Sequence, residues 1–269
     1  MTQPAPTSIQ AYYSRARDRY FYSATAVFWN VLPFACLELA RRGWLPYWFV
    51  AALTFWAMTH WMQAIHELFH VQHEQRIDWF NRFMPMVMTP LSLGFKQYQA
   101  IHFTHHTDVC SPRDMEYYQL RGSKLNGFLN ALTSPDQALF RWLQRYWNDP
   151  HKAQYIEADL VSNLLVNSTL FLLCFVHFGA NFLWYWIPAR LSYGINAFAF
   201  FYMLHRRGEA FGSYPVFLRR RGDWLYRALY GRDIVNGTCN HDIHHWNPRI
   251  AVRFLDLPPV RRIYDEATR

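Results

Sequence analysis

Three clusters of closely spaced histidines are the chemically most informative feature of this sequence. They read HELFH at 66–70, HFTHH at 102–106 and HDIHH at 241–245, and they hold eight of the 13 histidines. On a helix, residues three or four apart share a face, so each cluster would direct its imidazole rings into one small volume. Neutral imidazole is a common ligand of transition metals. The clusters therefore predict a metal centre formed by His66, His70, His102, His105, His106, His241, His244 and His245.

The number and type of these ligands favour two metal ions over one structural zinc. A structural zinc site uses four ligands, usually including cysteine. The chain has four cysteines, at positions 36, 110, 174 and 239, and no two of them form a CxxC pair. Imidazole accommodates zinc, copper, iron or nickel, so the ligand type alone leaves the identity of the metal open.

The composition favours an all-α integral membrane protein. Of the 269 residues, 52% are hydrophobic and 19% are aromatic, while the mean hydropathy is only −0.17. The high hydrophobic content and the low mean hydropathy are compatible if the chain combines a few apolar spans, each of about 20 residues, with a large polar cap. We expect four transmembrane helices at 22–40, 45–65, 160–178 and 181–204, paired as two hairpins. The cap would comprise 66–159 and 205–269, and residues 1–269 would form a single domain.

The distribution of positive charge predicts the orientation in the membrane. Of 27 lysines and arginines, only Arg41, Arg42 and Arg190 lie in the loops opposite the histidines or within a span. The other 24 lie on the histidine side, so the positive-inside rule makes the histidine boxes and both termini cytoplasmic. The polar first 20 residues predict no cleavable signal peptide. We expect a multi-pass membrane protein with no nucleic-acid partner.

An apolar segment at 79–95 follows the second span and contains Pro85 and Pro90. The prolines interrupt it too often for a membrane span. We interpret it as an interfacial helical hairpin that rests in the headgroup region, with an ordinary buried helix of the cap as the alternative.

The order and spacing of the three clusters resemble the histidine boxes of membrane fatty acid desaturases and related hydroxylases. The HxxxH cluster ends the second span, the first HxxHH follows about 30 residues later, and the second HxxHH follows the last span. The resemblance extends from the first span to Leu257. It implies a helical membrane enzyme with two non-haem iron ions that uses dioxygen to attack unactivated C–H bonds. It also implies that the eight box histidines are iron ligands.

The resemblance further implies one additional ligand just after the last span, where this sequence has His205. His73 is the competing candidate, because it lies three residues beyond His70 and would share its helical face. Polar residues near the boxes could accept hydrogen bonds from the rings and fix their tautomers, or they could be solvated groups of the cap. These residues are Glu67, Asp108, Asp114, Glu116, Asn240 and Asp242.

The leading functional hypothesis is a fatty acyl desaturase that takes a lipid chain from the membrane. Phe55, Trp56, Phe198 and Phe201 could line its tunnel, although aromatic residues at this spacing are commonly core or lipid-facing residues. The alternatives in the same superfamily are a carotenoid ketolase or hydroxylase and an alkane or fatty acyl hydroxylase. These alternatives stay open because the second box of this sequence is not followed by the Asp-Pro pair that commonly follows it in acyl desaturases.

A hypothesis from another class is a non-enzymatic membrane protein that binds or transports a metal. Its ionisable residues should lie within the spans, whereas the three boxes lie at or beyond the span ends.

If the chain is an enzyme, it needs a source of electrons. The sequence has no haem motif and no cysteine set for an iron–sulfur cluster, so we expect a separate electron donor. A ferredoxin, a rubredoxin or a cytochrome b5 type protein could dock on basic residues such as those at 219–221, which could instead contact anionic lipids.

Overall fold

Helices account for all the regular secondary structure in the part of the chain that a computed structural model describes. This part comprises residues 8–71, 77–89, 93–116, 122–147, 150–205 and 223–269, without the side chains of 151–158, 201–203 and 223. The α-helices are α1 (Asp18–Arg41), α2 (Tyr47–His70), α3 (Trp79–Phe83), α4 (Phe95–Thr107), α5 (Lys124–Leu132), α6 (Ser134–Tyr146), α7 (Pro150–Phe178), α8 (Leu183–Ala197), α9 (Asp223–Cys239), α10 (His241–Trp246) and α11 (Pro258–Ala267). A π-helix, Phe198–Met203, continues α8 toward the third cluster.

The four longest stretches of helix coincide with the four predicted spans. Helix α1 packs along α2, α2 packs against α8, and a short 3₁₀ turn at Gly179–Phe182 joins α7 to α8. Among the described residues, two stretches are long and apolar enough to cross a membrane, namely Asp18–Arg41 and Asp159–Phe200. Helix α2, whose sequence we expected to give the clearest span, is not one of them, because its tryptophans, His60 and Gln63 lower its hydropathy. Four spans and a cytoplasmic cap therefore stay a prediction.

The segment that we expected to be an interfacial hairpin enters the helical bundle instead. Helix α3 exposes Trp79 and Phe80, as an interfacial element would, but Met86 and Thr89 are completely buried. The backbone is irregular here: a 3₁₀ turn, Met84–Met86, is followed by Met88 with a φ of +63°. The prediction of a surface hairpin is therefore wrong for 84–89.

Side chains from all four long helices hydrogen-bond to the backbone of this buried loop, 84–89. Asn30 of α1 donates to the carbonyls of residues 85 and 87, both at 3.1 Å, and Trp61 of α2 donates to residue 85 at 2.8 Å. Asn167 of α7 donates to residue 86 at 3.1 Å and accepts from the amide of residue 88 at 2.7 Å. Tyr185 of α8 donates to the carbonyl of residue 88. These side chains satisfy backbone groups that the irregular conformation of the loop leaves without regular helical hydrogen bonds.

The C-terminal part of the chain is held against the N-terminal part near the histidines. Tyr13 and Ile250 form an isolated antiparallel bridge, and the carboxylate of Glu67 in α2 accepts from the amide of Val252 at 3.2 Å. Helix α9 contains a kink at Gly231, where φ is +80° and ψ is 168°. These contacts place α10 beside the ends of α2 and α4.

Candidate metal centre

The nine histidines predicted to be ligands come together at one end of the long helices. His66 and His70 lie in the last turns of α2, His102, His105 and His106 lie on α4, and His205 follows the π-helix. His241, His244 and His245 lie on α10. All nine are buried or half-buried.

The nine rings form two separate groups of potential ligands. In each group the ring nitrogens lie within 4.8 Å of one another. Consecutive residues on a helix point about 100° apart, so one helix can serve both groups. Helix α4 contributes two rings to the first group and one to the second, and α10 does the reverse. The first group is His66, His70, His102, His106 and His244, and the second is His105, His205, His241 and His245.

The ring nitrogens in each group are spaced as ligands of a shared ion would be. Nitrogens about 2.1 Å from one ion are separated by about 3.0–3.4 Å in octahedral or tetrahedral geometry. The Nε2 atom of His102 lies 3.2 Å from Nε2 of His106, within this range, and 2.7 Å from Nε2 of His70, slightly closer than the range. In the second group, Nε2 of His241 lies 3.1 Å from the Nε2 atoms of His205 and His245. The residues present therefore fit two metal ions, one in each group.

Carboxylates fix the tautomers of three of these rings. The Nδ1 atom of His102 lies 2.9 Å from Glu116, that of His105 lies 2.8 Å from Asp114, and that of His66 lies 3.2 Å from Glu67. A carboxylate accepts, so each Nδ1 carries the proton and each Nε2 presents its lone pair to the centre of its group. A cation is the partner that converging lone pairs require.

Comparison with known protein families gives a match over residues 42–269 to the fatty acid desaturase family. That range covers most of the chain and all three histidine clusters. The chain belongs to the fatty acid desaturase family. The family assignment made from the three boxes is thereby confirmed, and it makes the chain a member of a metal-dependent oxidoreductase superfamily. No curated protein and no solved structure matches the chain.

Burial favours the neutral form, which metal binding needs, in six of the nine rings. Desolvation, reinforced by the neighbouring imidazoles, lowers the pKa of each of six ring systems. They are those of His70, His102, His106, His241, His244 and His245. Burial also raises the pKa of Glu116, and the nearby Asp114 adds to that effect. A cation in the first group would stabilise the Glu116 carboxylate and oppose this rise.

Three other polar residues near the boxes have arginine partners. Asp108 faces Arg113 at 3.9 Å. Asp242 and Asn240 instead accept from Arg261 of α11, at 2.9 and 3.0 Å. Arg261 thus fixes the start of α10, a role that the sequence did not indicate because 19 residues separate it from Asp242.

The other histidines for which the structure gives side-chain contacts lie away from both groups. His60 stacks on Trp29 with ring centroids 4.5 Å apart, and His177 lies 3.1 Å from Glu38 near the opposite end of the bundle. His73, the alternative to His205, lies outside the described residues, as does the side chain of His151.

A cavity of about 410 Å³ leads to the first group of histidines. Its inner end is lined by His66, His102 and Glu116, and its walls are mainly apolar residues of α2, α8, the π-helix and α9. Phe200 is one of them, but the predicted tunnel residues Phe55, Trp56 and Phe198 are not among its lining residues. The fourth, Phe201, has no described side chain. The volume falls within the usual range of small-molecule sites.

Proposed function

We propose that this chain is an oxygen-dependent membrane oxidoreductase that uses two iron ions to attack an unactivated C–H bond of a lipid chain. The observation that carries the proposal is the pair of histidine groups beside a mainly apolar cavity. His66, His70, His102, His106 and His244 would hold one ion, and His105, His205, His241 and His245 would hold the other. When bound, the ions would supply the activation of dioxygen.

The protein's own residues would position the ligands and exclude water. Glu116, Asp114 and Glu67 keep Nδ1 protonated on three rings, so Nε2 of each faces its group. Burial keeps five of the other rings, those of His70, His106, His241, His244 and His245, in the neutral form, so these ligands do not reduce the charge of the cations. The cavity would bring a lipid chain to His66 and His102. The position of the lipid chain relative to these rings would select which C–H bond faces the metal centre.

A fatty acyl desaturase is the activity that we favour within this class, on the strength of the family match. We further propose that the four long helices cross the membrane with the histidines and both termini on the cytoplasmic side. A separate carrier such as a ferredoxin, a rubredoxin or a cytochrome b5 type protein would deliver the electrons. Arg249 and Arg262, exposed on the C-terminal part that carries the third box, could attract an acidic carrier. Residues 219–221 lie outside the described residues.

The proposal is tested by expressing the chain in a carotenoid-producing host and analysing lipids and hydrocarbons, with metal analysis of the purified protein. The control is the double variant His105→Ala, His244→Ala, which removes one ligand from each group. We expect about two irons per wild-type chain, as two groups each holding one ion require, and unsaturated acyl chains with the wild type only. Oxidised carotenoids would instead indicate a ketolase or hydroxylase. Wild-type protein that binds no iron would refute the di-iron proposal.

A further inference from the structure

The cavity beside the first histidine group opens on a face of the molecule that carries apolar side chains. Ile195 of α8, Ala199 of the π-helix and Tyr226 of α9 all line the cavity and are all exposed at the surface. The exposed fraction is 37% for Ile195 and 42% for Tyr226. The opening therefore lies between the end of α8 and the first half of α9.

The surface around this opening has the composition of a lipid-facing surface. Exposed apolar residues follow one face of α8 at helical spacing, from Trp184 through Ile187 and Leu191 to Ile195. They belong to the stretch Asp159–Phe200, which is long and apolar enough to cross a membrane. An exposed apolar band on such a helix is expected to contact acyl chains of the bilayer.

The first half of α9 borders the other side of the opening and is also apolar at its surface. Trp224, Leu225 and Leu229 are exposed there. The backbone carbonyl of Leu229 accepts a hydrogen bond from Nε1 of Trp56, a residue in the middle of α2. This contact places the first half of α9 beside the predicted span 45–65, so the opening is at the level of the apolar helices.

No lysine or arginine is among the described residues that line the cavity. A carboxylate, phosphate or sulfate near the opening, away from the histidines, would therefore lose its hydration without gaining a lysine or arginine of the described wall as a partner, which is costly. Several polar side chains of the wall are already hydrogen-bonded within the protein. Asn196 donates to Thr59 at 3.0 Å, Gln63 donates to Glu67 at 3.3 Å, and Glu116 accepts from His102.

We infer that the substrate is an uncharged lipid that enters the cavity sideways from the bilayer, through the opening formed by Ile195, Ala199 and Tyr226. The inference deepens the proposed function, because it takes this cavity as the substrate site. It differs from delivery through water, in which a charged headgroup would need a binding site at the cavity mouth. Neutral acyl esters, alkanes and carotenoids all belong to the class.

Photolabelling of the iron-loaded protein in nanodiscs tests the inference without requiring turnover. The probe is a 16-carbon alkane with a diazirine in mid-chain, compared with the same chain ending in a carboxylate. The variant Ala199→Trp places a large side chain in the opening. The matched control Ile187→Trp adds the same side chain to the same exposed face of α8, about three helical turns away and off the cavity.

We expect the uncharged probe to label peptides containing Met62 and Phe200 in the wild type and in Ile187→Trp. Labelling should fall at least 10-fold in Ala199→Trp while its iron content is unchanged, and the carboxylate probe should label these peptides at least 10-fold less than the alkane. If Ala199→Trp does not fold, Ile195→Trp serves in its place. Undiminished labelling when the opening is blocked would overturn the proposed route, and equal labelling by the carboxylate probe would overturn the substrate class.

The outcomes separate this inference from the proposed function. Labelling that follows the expected pattern in a protein with no oxidative activity would leave the route standing and count against the enzyme. An active enzyme that is labelled equally with and without the blocked opening would support the enzyme proposal and refute the route.

Discussion

Replacing Asn167 with leucine tests whether the buried loop 84–89 depends on side chains of the long helices. Leucine has nearly the same size as asparagine but makes no hydrogen bonds. The change removes the donor to the carbonyl of Met86 and the acceptor for the amide of Met88. The carbonyl of Met86 keeps a hydrogen bond from the hydroxyl of Thr89, at 3.0 Å, so only the amide of Met88 is left without a partner. A buried backbone group left unsatisfied costs about 1–3 kcal/mol, and the free energy of unfolding should fall by about that amount.

The matched control is Asn163→Leu, one turn earlier on α7. Asn163 is as deeply buried, but its amide donates only to the carbonyl of Asp159 in its own helix, at 2.9 Å. That carbonyl also accepts from the hydroxyl of Ser162, so it stays hydrogen-bonded in the variant. We expect a loss of less than about 1 kcal/mol, the typical net value of one hydrogen bond.

Reversible unfolding in mixed micelles, followed by tryptophan fluorescence, measures both variants under one condition. Neither substitution touches the histidines, so iron content in the folded protein should be unchanged and serves as a check on the centre. A loss in Asn167→Leu no greater than that in Asn163→Leu would refute the reasoning, because the loop would then not need the helix side chains to satisfy its backbone.

Three further predictions concern the metal centre. Glu116→Gln removes the carboxylate that holds Nδ1 of His102, so it should weaken iron binding about 10–100-fold in competition with a chelator, whereas Asp242→Asn should change it little. His205→Ala should reduce bound iron from about two ions to about one, while His73→Ala should retain two; elemental analysis showing the reverse would make His73 the ligand. The metal-free protein should lose stability as the pH falls below about 6.5, because the histidines of the unfolded chain then bind protons while the buried histidines of the folded chain stay neutral. Denaturation between pH 7 and 5 should show a slope steeper than about 1.4 kcal/mol per pH unit, the value for one proton, and a flat profile would contradict the burial argument.

The sequence was sufficient to identify the family and to bring nine particular histidines under consideration, because ligand spacing on a helix is a local property. The division of these histidines into groups of five and four was not predictable. It depends on which way α4 and α10 are rotated, and hence on the tertiary contacts of Glu116, Asp114 and Arg261. Nearness in sequence was a poor guide to hydrogen bonding: Glu116 is 14 residues from its ring, whereas Asp242 is adjacent to His241 and faces an arginine.

The buried loop shows a second limit of sequence reasoning. An apolar segment broken by Pro85 looks the same whether it lies on a membrane surface or inside a bundle. The difference is made by Asn30 and Asn167, which lie 55 and 81 residues from their partners in the loop. Isolated asparagines in apolar helices do not reveal which distant carbonyl they will meet.

The hydrogen bonds of the buried loop also impose an order of events on synthesis. Asn30 and Trp61 precede the loop in the chain, so their donors are available when it emerges from the ribosome. The groups that complete it come later, Asn167 by 81 residues and Tyr185 by 97. At about 5–20 residues per second, the ribosome takes about 4–20 s to supply them. During that interval the loop has the side chains of Asn30 and Trp61 but not those of Asn167 and Tyr185. Helices α7 and α8 therefore complete the packing that α1 and α2 begin.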